Sequence, residues 1–181
     1  MIESELGGCG DNGFIWRQAT NDDFVFVWEI ILEAKAMMAS SGRNQWNEHY
    51  PIEENIRTDI KNGLAYVLCK AKEIAAYGVV VRNGEPEYEK LVCGAWLSEG
   101  DYYVVHRLAV AEKFRGQGVA QVFLEFVSEI CRTTAAVSIR VDTNYDNQPM
   151  ISVLQKTGFQ YCGKVVYPVN GERCVYEKVV S

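Results

Sequence analysis

From Val119 onward the apolar side chains recur at Val122, Phe123, Phe126, Val127 and Ile130. These positions fall on the rows that share one side of a helix, so a buried helical face is predicted there. Phe24, Val27, Trp28, Ile31, Leu32 and Met38 make a second such series. Thr20 and Asp23 precede it at capping-box spacing, and a helix of about four or five turns is expected. A shorter helix is expected around IEENIRTDIKNG, closed by Gly63, with the loop SSGRNQWNEHYP before it. NQPMISVLQKTGF predicts a fourth helix, with Pro149 in its first turn, Met150, Val153, Leu154 and Thr157 on one side, and Gly158 past its end.

Between these segments the period changes to that of strands. FIWRQAT reads as the first strand, and AYVLCKAKEIAAYGVVVRNG as two strands in a hairpin followed by a turn signal at Asn83-Gly84. EYEKLVCGAW is either a strand extension or an ordered connection. YYVVHRLAV, rich in β-branched and aromatic residues, predicts a central strand. AVSIRVD alternates Val137, Ile139 and Val141 against Ser138, Arg140 and Asp142, and Arg140 then needs a partner or solvent. QYCGKVVYPV and ERCVYEKVV flank Asn170-Gly171 as a last hairpin. The order β-α-α-β-β-β-α-β-α-β-β predicts a three-layer mixed α/β arrangement.

Composition narrows the class. The 181 residues, 48% of them hydrophobic, suit one domain, read here as residues 14–181 after a glycine-rich segment, residues 1–13, expected to be mobile. A net charge of −6 argues against a general nucleic-acid binder. No apolar run approaches the roughly 20 residues that span a bilayer. The acidic amino terminus lacks the apolar core of a secretion signal, so a cytoplasmic protein is expected. Cys69, Cys93, Cys131, Cys162 and Cys174 each lie in an apolar segment and read as reduced core thiols. With no CxxC pair, and His49 and His106 the only histidines, no metal site is predicted.

The chemistry concentrates in KFRGQGVAQVFLEF, Lys113–Phe126. A strand that runs through RGQGVA into a helix leaves backbone N–H groups unpaired at the positive end of the helix dipole, where phosphate binds. Gly116 and Gly118 clear the approach, Arg115 adds charge and Ala120 keeps the first turn thin. The competing reading is a tight turn in which glycine serves geometry alone. A Walker loop is excluded because no lysine follows the second glycine, and the dinucleotide fingerprint fails at Gln121.

Arg115, Gly118 and Ala120 match the Q/R-x-x-G-x-G/A signature of the GNAT superfamily of N-acetyltransferases. RLAV resembles the strand that runs beside the pantetheine arm, and DTNYDNQPMISVLQKTGF is similar to the family's second conserved region. The resemblance covers roughly Phe14 to Val180 and implies the three-layer α/β/α mixed sheet of the acyl-CoA N-acyltransferase type, with acetyl-CoA as acyl donor. It implies that main-chain N–H groups from Arg115 through Gly116, Gln117, Gly118 and Val119 to Ala120 hold the pyrophosphate of coenzyme A. Leu108, Ala109 and Val110 would run along the pantetheine, with the Val110 amide as oxyanion donor. Asn147 would bond the same arm, although by itself it reads as a helix N-cap.

The resemblance has two departures. The position where many members carry a glutamate base is Val104, and the position of their proton-donating tyrosine is Leu154. His106, two residues before Leu108 and on the same face of that strand if it alternates regularly, is then the nominee for proton transfer, with a core histidine as the competing reading. Arg107 is read as structural. The general acid would be Tyr145, Tyr161, another residue or water, or no acid would be needed. Gln45 and Trp46 are candidates for the acceptor pocket, Trp46 also reading as a packing plug, and Glu48 and Glu99 are carboxylates that attract an amine or are simply solvated. The implied function is acetyl-CoA-dependent transfer of an acetyl group to the amine of a small molecule or peptide; the alternative is a non-catalytic acyl-CoA-binding sensor or interaction module. No nucleic-acid or membrane partner is expected, and monomer and homodimer both remain open.

Overall fold

A computed structural model describes residues 13–180. The expected mobile segment, residues 1–13, lies outside them apart from Gly13. The predicted strands and helices form, in chain order, as β1 (Phe14–Gln18), α1 (Phe24–Ser40), α2 (Glu53–Lys61), β2 (Ala65–Lys70), β3 (Glu73–Arg82), β4 (Cys93–Gly94), β5 (Tyr102–Val110), α3 (Val119–Thr134), β6 (Ser138–Thr143), α4 (Gln148–Lys156), β7 (Gln160–Tyr167) and β8 (Gly171–Val179). The strands make one mixed sheet in the order β1-β2-β3-β5-β6-β8-β7-β4. β5 and β6 are parallel, as a strand–helix–strand crossover requires, and β1-β2, β2-β3, β6-β8, β7-β8 and β4-β7 are antiparallel. EYEKLVCGAW thus becomes a 3-10 turn at Pro86–Glu89 and the two-residue edge strand β4.

The chain divides into two compact units, one of residues through Val79 with Arg107–Phe123, the other of Val80–His106 with the residues from Leu124 on. In the first, Trp16 of β1 stacks on Tyr66 of β2 with ring centroids 4.6 Å apart and meets Phe123 of α3 edge-on at 4.7 Å. Phe123 sits directly on β3 at Gly78, where a Cβ would stand 2.5 Å from its ring, so the helix reaches the sheet only over a bare backbone. The start of α1 is fixed more firmly than its capping-box spacing foretold. Asp23 accepts from the Thr20 N–H at 2.7 Å and from both terminal nitrogens of Arg17 at 2.7 and 2.8 Å. The Arg17 bond is the largest reason its carboxyl is held below the ordinary range.

The predicted stripes hold in part. Val27 and Ile31 are fully buried on α1, but Ile30 and Ala34 share that face while Leu32 stands exposed. On α4 only Leu154 is buried. The alternation expected of AVSIRVD fails because β6 is interior, and Ser138, Ile139, Arg140 and Val141 are all buried. All five described cysteines are free thiols, of which Cys69, Cys131 and Cys162 are buried, Cys174 half-buried and Cys93 exposed. Cys93 departs from the core reading because β4 is an edge strand of two residues.

Arg140 finds its partner within the second unit. It stands directly across from Glu177 of β8, whose carboxylate is wholly buried. Glu177 Oε1 accepts from Arg140 Nε at 3.1 Å, from Ser138 Oγ at 2.6 Å and from Ser98 Oγ at 2.6 Å, while Oε2 accepts from the Leu97 N–H at 2.5 Å. The guanidinium lies 3.8 Å from the ring centre of Tyr102 and 4.2 Å from that of Trp96. Burial raises the pKa of Glu177, but the hydroxyl, amide and arginine donors outweigh it and the net shift is downward.

Arg140→Ala strips a buried carboxylate of its cation and is expected to cost about 3–5 kcal/mol at neutral pH, read from urea unfolding. Because the folded pKa of Glu177 lies below the ordinary 4.5, its stabilising contribution is complete above that pH and is lost as the pH falls through the folded value. The gap between parent and variant should therefore narrow on acidification; a gap independent of pH would contradict a charged Glu177.

Candidate active site

β5 pairs with β6 only from Tyr102 to Val104, although the strand runs on to Val110. Beyond that pairing its backbone turns aside at Arg107, which holds φ at 51°. A side chain at this φ costs on the order of 1–3 kcal/mol unless its surroundings enforce it. The enforcement is visible. Arg107 Nε and Nη2 donate to the two oxygens of Asp59 on α2 at 2.8 and 2.6 Å, and Nη1 donates to the Tyr50 hydroxyl at 2.7 Å. Tyr77 of β3 donates to Asp59 Oδ2 at 2.9 Å. Burial works against the guanidinium charge, yet Tyr50 and Asp59 outweigh it and hold the proton more tightly than usual. The structural reading of Arg107 stands. The strict alternation assumed from His106 to Leu108 does not, because a left-handed residue interrupts the pleat.

After β5 the chain makes the predicted turn. Ala111 N–H returns to Ala75 C=O at 2.9 Å, and a short 3-10 helix, Glu112–Phe114, leads into the glycines. Gly116 and Gly118 both hold left-handed φ values, 74° and 75°. A Cβ on Gly116 would meet nothing within 4 Å, so that face of the turn is open. The Arg115 N–H donates to Glu112 C=O at 3.2 Å, and the first bond of the next ladder runs from Val122 N–H to Gly118 C=O at 3.1 Å. Among the described residues no carbonyl takes the N–H groups from Gly116 to Gln121. Arg115 adds charge from a fixed position. Its Nε donates to Val110 C=O at 3.2 Å, and its Nη2 is buried without a hydrogen-bond partner, 3.9 Å from Glu33 Oε2. Glu33 also accepts from the Glu112 N–H at 2.7 Å, tying α1 to the turn. Open amides, a helix amino terminus and an orphaned guanidinium nitrogen form the donor set that a diphosphate satisfies.

The other nominated residues differ in what they are free to do. Val119 and Ala109 bury their side chains, leaving only main-chain groups to offer, whereas Leu108, Val110 and Ala120 are half-buried. Gln117 folds its amide onto Lys113 C=O at 2.9 Å. Asn147 caps α4, accepting from Met150 N–H at 3.5 Å and donating to Thr143 Oγ1 at 3.1 Å. Trp46 is 7% exposed and packs as a plug, next to a half-buried Gln45. Glu48 and Glu99 are exposed, and so are Tyr145 and Tyr161. Val104 lies in the core of the second unit with Tyr88, Cys162, Val165 and Val175, and Leu154 is fully buried. His106 is half-buried, and its Nε2 is 3.3 Å from Glu85 Oε2. Sequence reasoning did not single out Glu85, which follows the turn signal at Asn83-Gly84.

Comparison with known proteins gives the family and the fold. The model of the acetyltransferase (GNAT) family matches residues 22–159. An uncharacterised N-acetyltransferase of Bacillus subtilis, YesJ, is 25% identical over 154 residues, 84% of each chain. A GNAT-family acetyltransferase of Streptococcus agalactiae, solved by crystallography, superimposes with a TM-score of 0.86 at 34% identity, over 96% of this chain and 99% of that one. One from Listeria monocytogenes gives 0.71 at 21% identity, over 92% of this chain and 94% of that one, a likeness of fold. Among the described residues no helix is long and apolar enough to cross a membrane.

Asp59→Ala would leave the Arg107 guanidinium buried with Tyr50 as its remaining hydrogen-bond acceptor. A loss of about 3–5 kcal/mol in unfolding free energy is expected. A loss below about 1 kcal/mol, the size of an exposed ion pair, would show that water replaces the carboxylate without penalty.

Proposed function

Given that this chain belongs to the GNAT acetyltransferase family, we propose that it is an acetyl-CoA-dependent N-acetyltransferase acting on the amine of a small molecule or peptide in the cytoplasm, with residues 14–181 as the acyltransferase domain. The observation that carries this reading is the Arg115–Ala120 turn: amides without carbonyl acceptors from Gly116 on, the Arg115 N–H being spent on Glu112 C=O and so not available as expected, two glycines at positive φ and a buried guanidinium nitrogen of Arg115 lacking a hydrogen-bond partner. Gly116, Gln117, Gly118, Val119 and Ala120 offer N–H groups to the pyrophosphate, with Arg115 adding charge through Nη2. Leu108, Ala109 and Val110 offer the main chain of β5 to the pantetheine, and the Val110 N–H is the donor for the thioester oxygen. Bound acetyl-CoA supplies an activated acetyl group.

The acceptor must lose a proton before its nitrogen can attack, because an alkylammonium has a pKa of about 10.4. His106 is the group assigned to take it. Gln45 and the flank of Trp46 line the approach of the acceptor. A thiol with a pKa of about 8.5 leaves without an obligatory acid, which suits a chain whose Leu154 is core.

A second reading, an acyl-CoA-binding module without turnover, draws on Val104 and Leu154, both buried and neither able to move a proton. The two readings separate when coenzyme A binding is measured calorimetrically and thiol release from acetyl-CoA is followed with n-butylamine, spermidine and trialanine. Amine-dependent release is expected; binding without release would favour the module. Large residues at Gly118 make poor probes because φ there is already left-handed. Ala120→Glu is better. An acid in the first turn suits the helix dipole, so the unfolding midpoint should hold or rise, while repulsion of the diphosphate should weaken coenzyme A binding about tenfold or more. Unchanged affinity would remove the turn from the site.

A further inference from the structure

Glu85 opens the Pro86–Glu89 turn with its side chain 13% exposed, facing a His106 side chain that is 19% exposed, Oε2 to Nε2 at 3.3 Å. Withdrawing a carboxyl from water is unfavourable unless partners replace the solvent. The groups facing it are Glu87 on its own turn, His106 on β5, Asp142 on β6 and Tyr167 on β7, with Tyr88 behind them. The hydroxyls of Tyr88 and Tyr167 both donate to Asp142 Oδ1, at 2.8 and 3.0 Å. The Tyr88 proton is thus directed at Asp142, that of Tyr167 serves Asp142 and Glu85 alike, and the imidazole faces Glu85 from β5.

We propose that Glu85 and His106 form a carboxylate–imidazole pair that holds the proton leaving the acceptor amine, with Glu85 acting through His106 as the positioning and proton-sharing partner. This rests on the acetyltransferase reading and adds to it a residue that neither motif contains. The acceptor ammonium gives its proton to one ring nitrogen of His106 while the N–H of the other is shared with Glu85 Oε2. The amine lone pair is freed to attack the thioester, and the proton passes to solvent after transfer. The pair is one titrating unit, and its apparent values belong to both groups. Burial first, then Glu87 and Asp142, push the Glu85 carboxyl up to about 8. A carboxyl so placed gains and loses its proton in the range where an amine must be deprotonated.

His106 and the exposed His49 are the only histidines, so imidazole NMR can follow His106 with no substrate present. In the full chain the His106 resonances should report a second titration near the value of about 8 carried by Glu85. In Glu85→Gln that step should vanish, and the imidazole should gain its proton at lower pH because no carboxylate stabilises the imidazolium. Glu85→Asp should restore the step. With whichever of n-butylamine, spermidine or trialanine supports thiol release, Glu85→Gln should lower kcat/KM about 100-fold, near the low end of acid–base catalysis. The ascending limb of its pH profile should move downward, with coenzyme A affinity unchanged. Identical His106 titrations in parent and Glu85→Gln, or an unshifted profile at full rate, would overturn the pair. A parent chain that binds no coenzyme A would instead overturn the acetyltransferase reading, and the NMR titration would still decide the pair.

Discussion

The bidentate bond between Arg107 and Asp59 is the constraint on which the proposed site depends. Left to its own preferences, the YYVVHRLAV run would continue as a regular strand, since each of its residues favours the β region over a left-handed turn. Arg107 instead holds φ at 51°, and its guanidinium is fixed by Asp59 and Tyr50 while Tyr77 holds Asp59 in turn. Helix α2, strand β3 and the loop before α2 thus converge on one residue of β5. The strand leaves that point with Leu108, Ala109 and Val110 ahead of the glycine turn, and the turn is anchored back at Val110 C=O by the Arg115 Nε. A backbone that would relax in isolation is kept deviated by charge and hydrogen bonds, which lose strength more slowly with small displacements than packing contacts do.

The same economy of charge recurs in the second unit. Arg140 and Glu177 sit opposite each other on neighbouring strands, and the carboxylate also gathers the Ser98 hydroxyl and the Leu97 amide from the segment before β5. Replacing such a network with apolar side chains of equal volume need not weaken a protein, so its presence is poor evidence for added stability. What it supplies is placement. A loop that carries no regular structure is pinned to the sheet because Leu97 and Ser98 donate to one buried carboxylate.

How far the sequence reveals this molecule varies with the range of the interaction. Helix α3 and the hairpin at Asn170-Gly171 were legible because period and turn chemistry are local. The glycine turn was legible for the same reason, since unpaired amides follow directly from where a strand meets a helix. Leu32 on the exposed side of α1 and the interior strand β6 were not, because tertiary burial decides them. Arg140 was recognisable as a problem, a charge in an apolar strand, but its solution lay on β8. The kink at Arg107 left no mark, because the residue that enforces it, Asp59, is distant in sequence and looks like any surface acid on a helix. Glu85 was hidden in the same way: Asn83-Gly84 ahead of it reads as a turn, and nothing local states that a histidine will face it.

That hidden residue bears on why the usual catalytic positions are silent. Val104 packs with Tyr88, Cys162, Val165 and Val175 in a largely apolar setting, where the Tyr88 hydroxyl is already engaged by Asp142, and an ionised side chain there would lose its hydration. Leu154 is as deeply buried. A core of this composition excludes charge from both positions, so any proton traffic has to run where polar groups already have partners. Beside β5 those groups are Glu85, which faces His106, and Asp142, Tyr88 and Tyr167, which act on Glu85, all placed by elements of one unit. The proposed pair, lying off the central position, changes what acid–base function demands of the fold. A single glutamate needs only a suitable microenvironment, whereas a shared proton needs its two heavy atoms held at hydrogen-bond distance, and the 3-10 turn at Pro86–Glu89 is the short, stiff element that holds one of them.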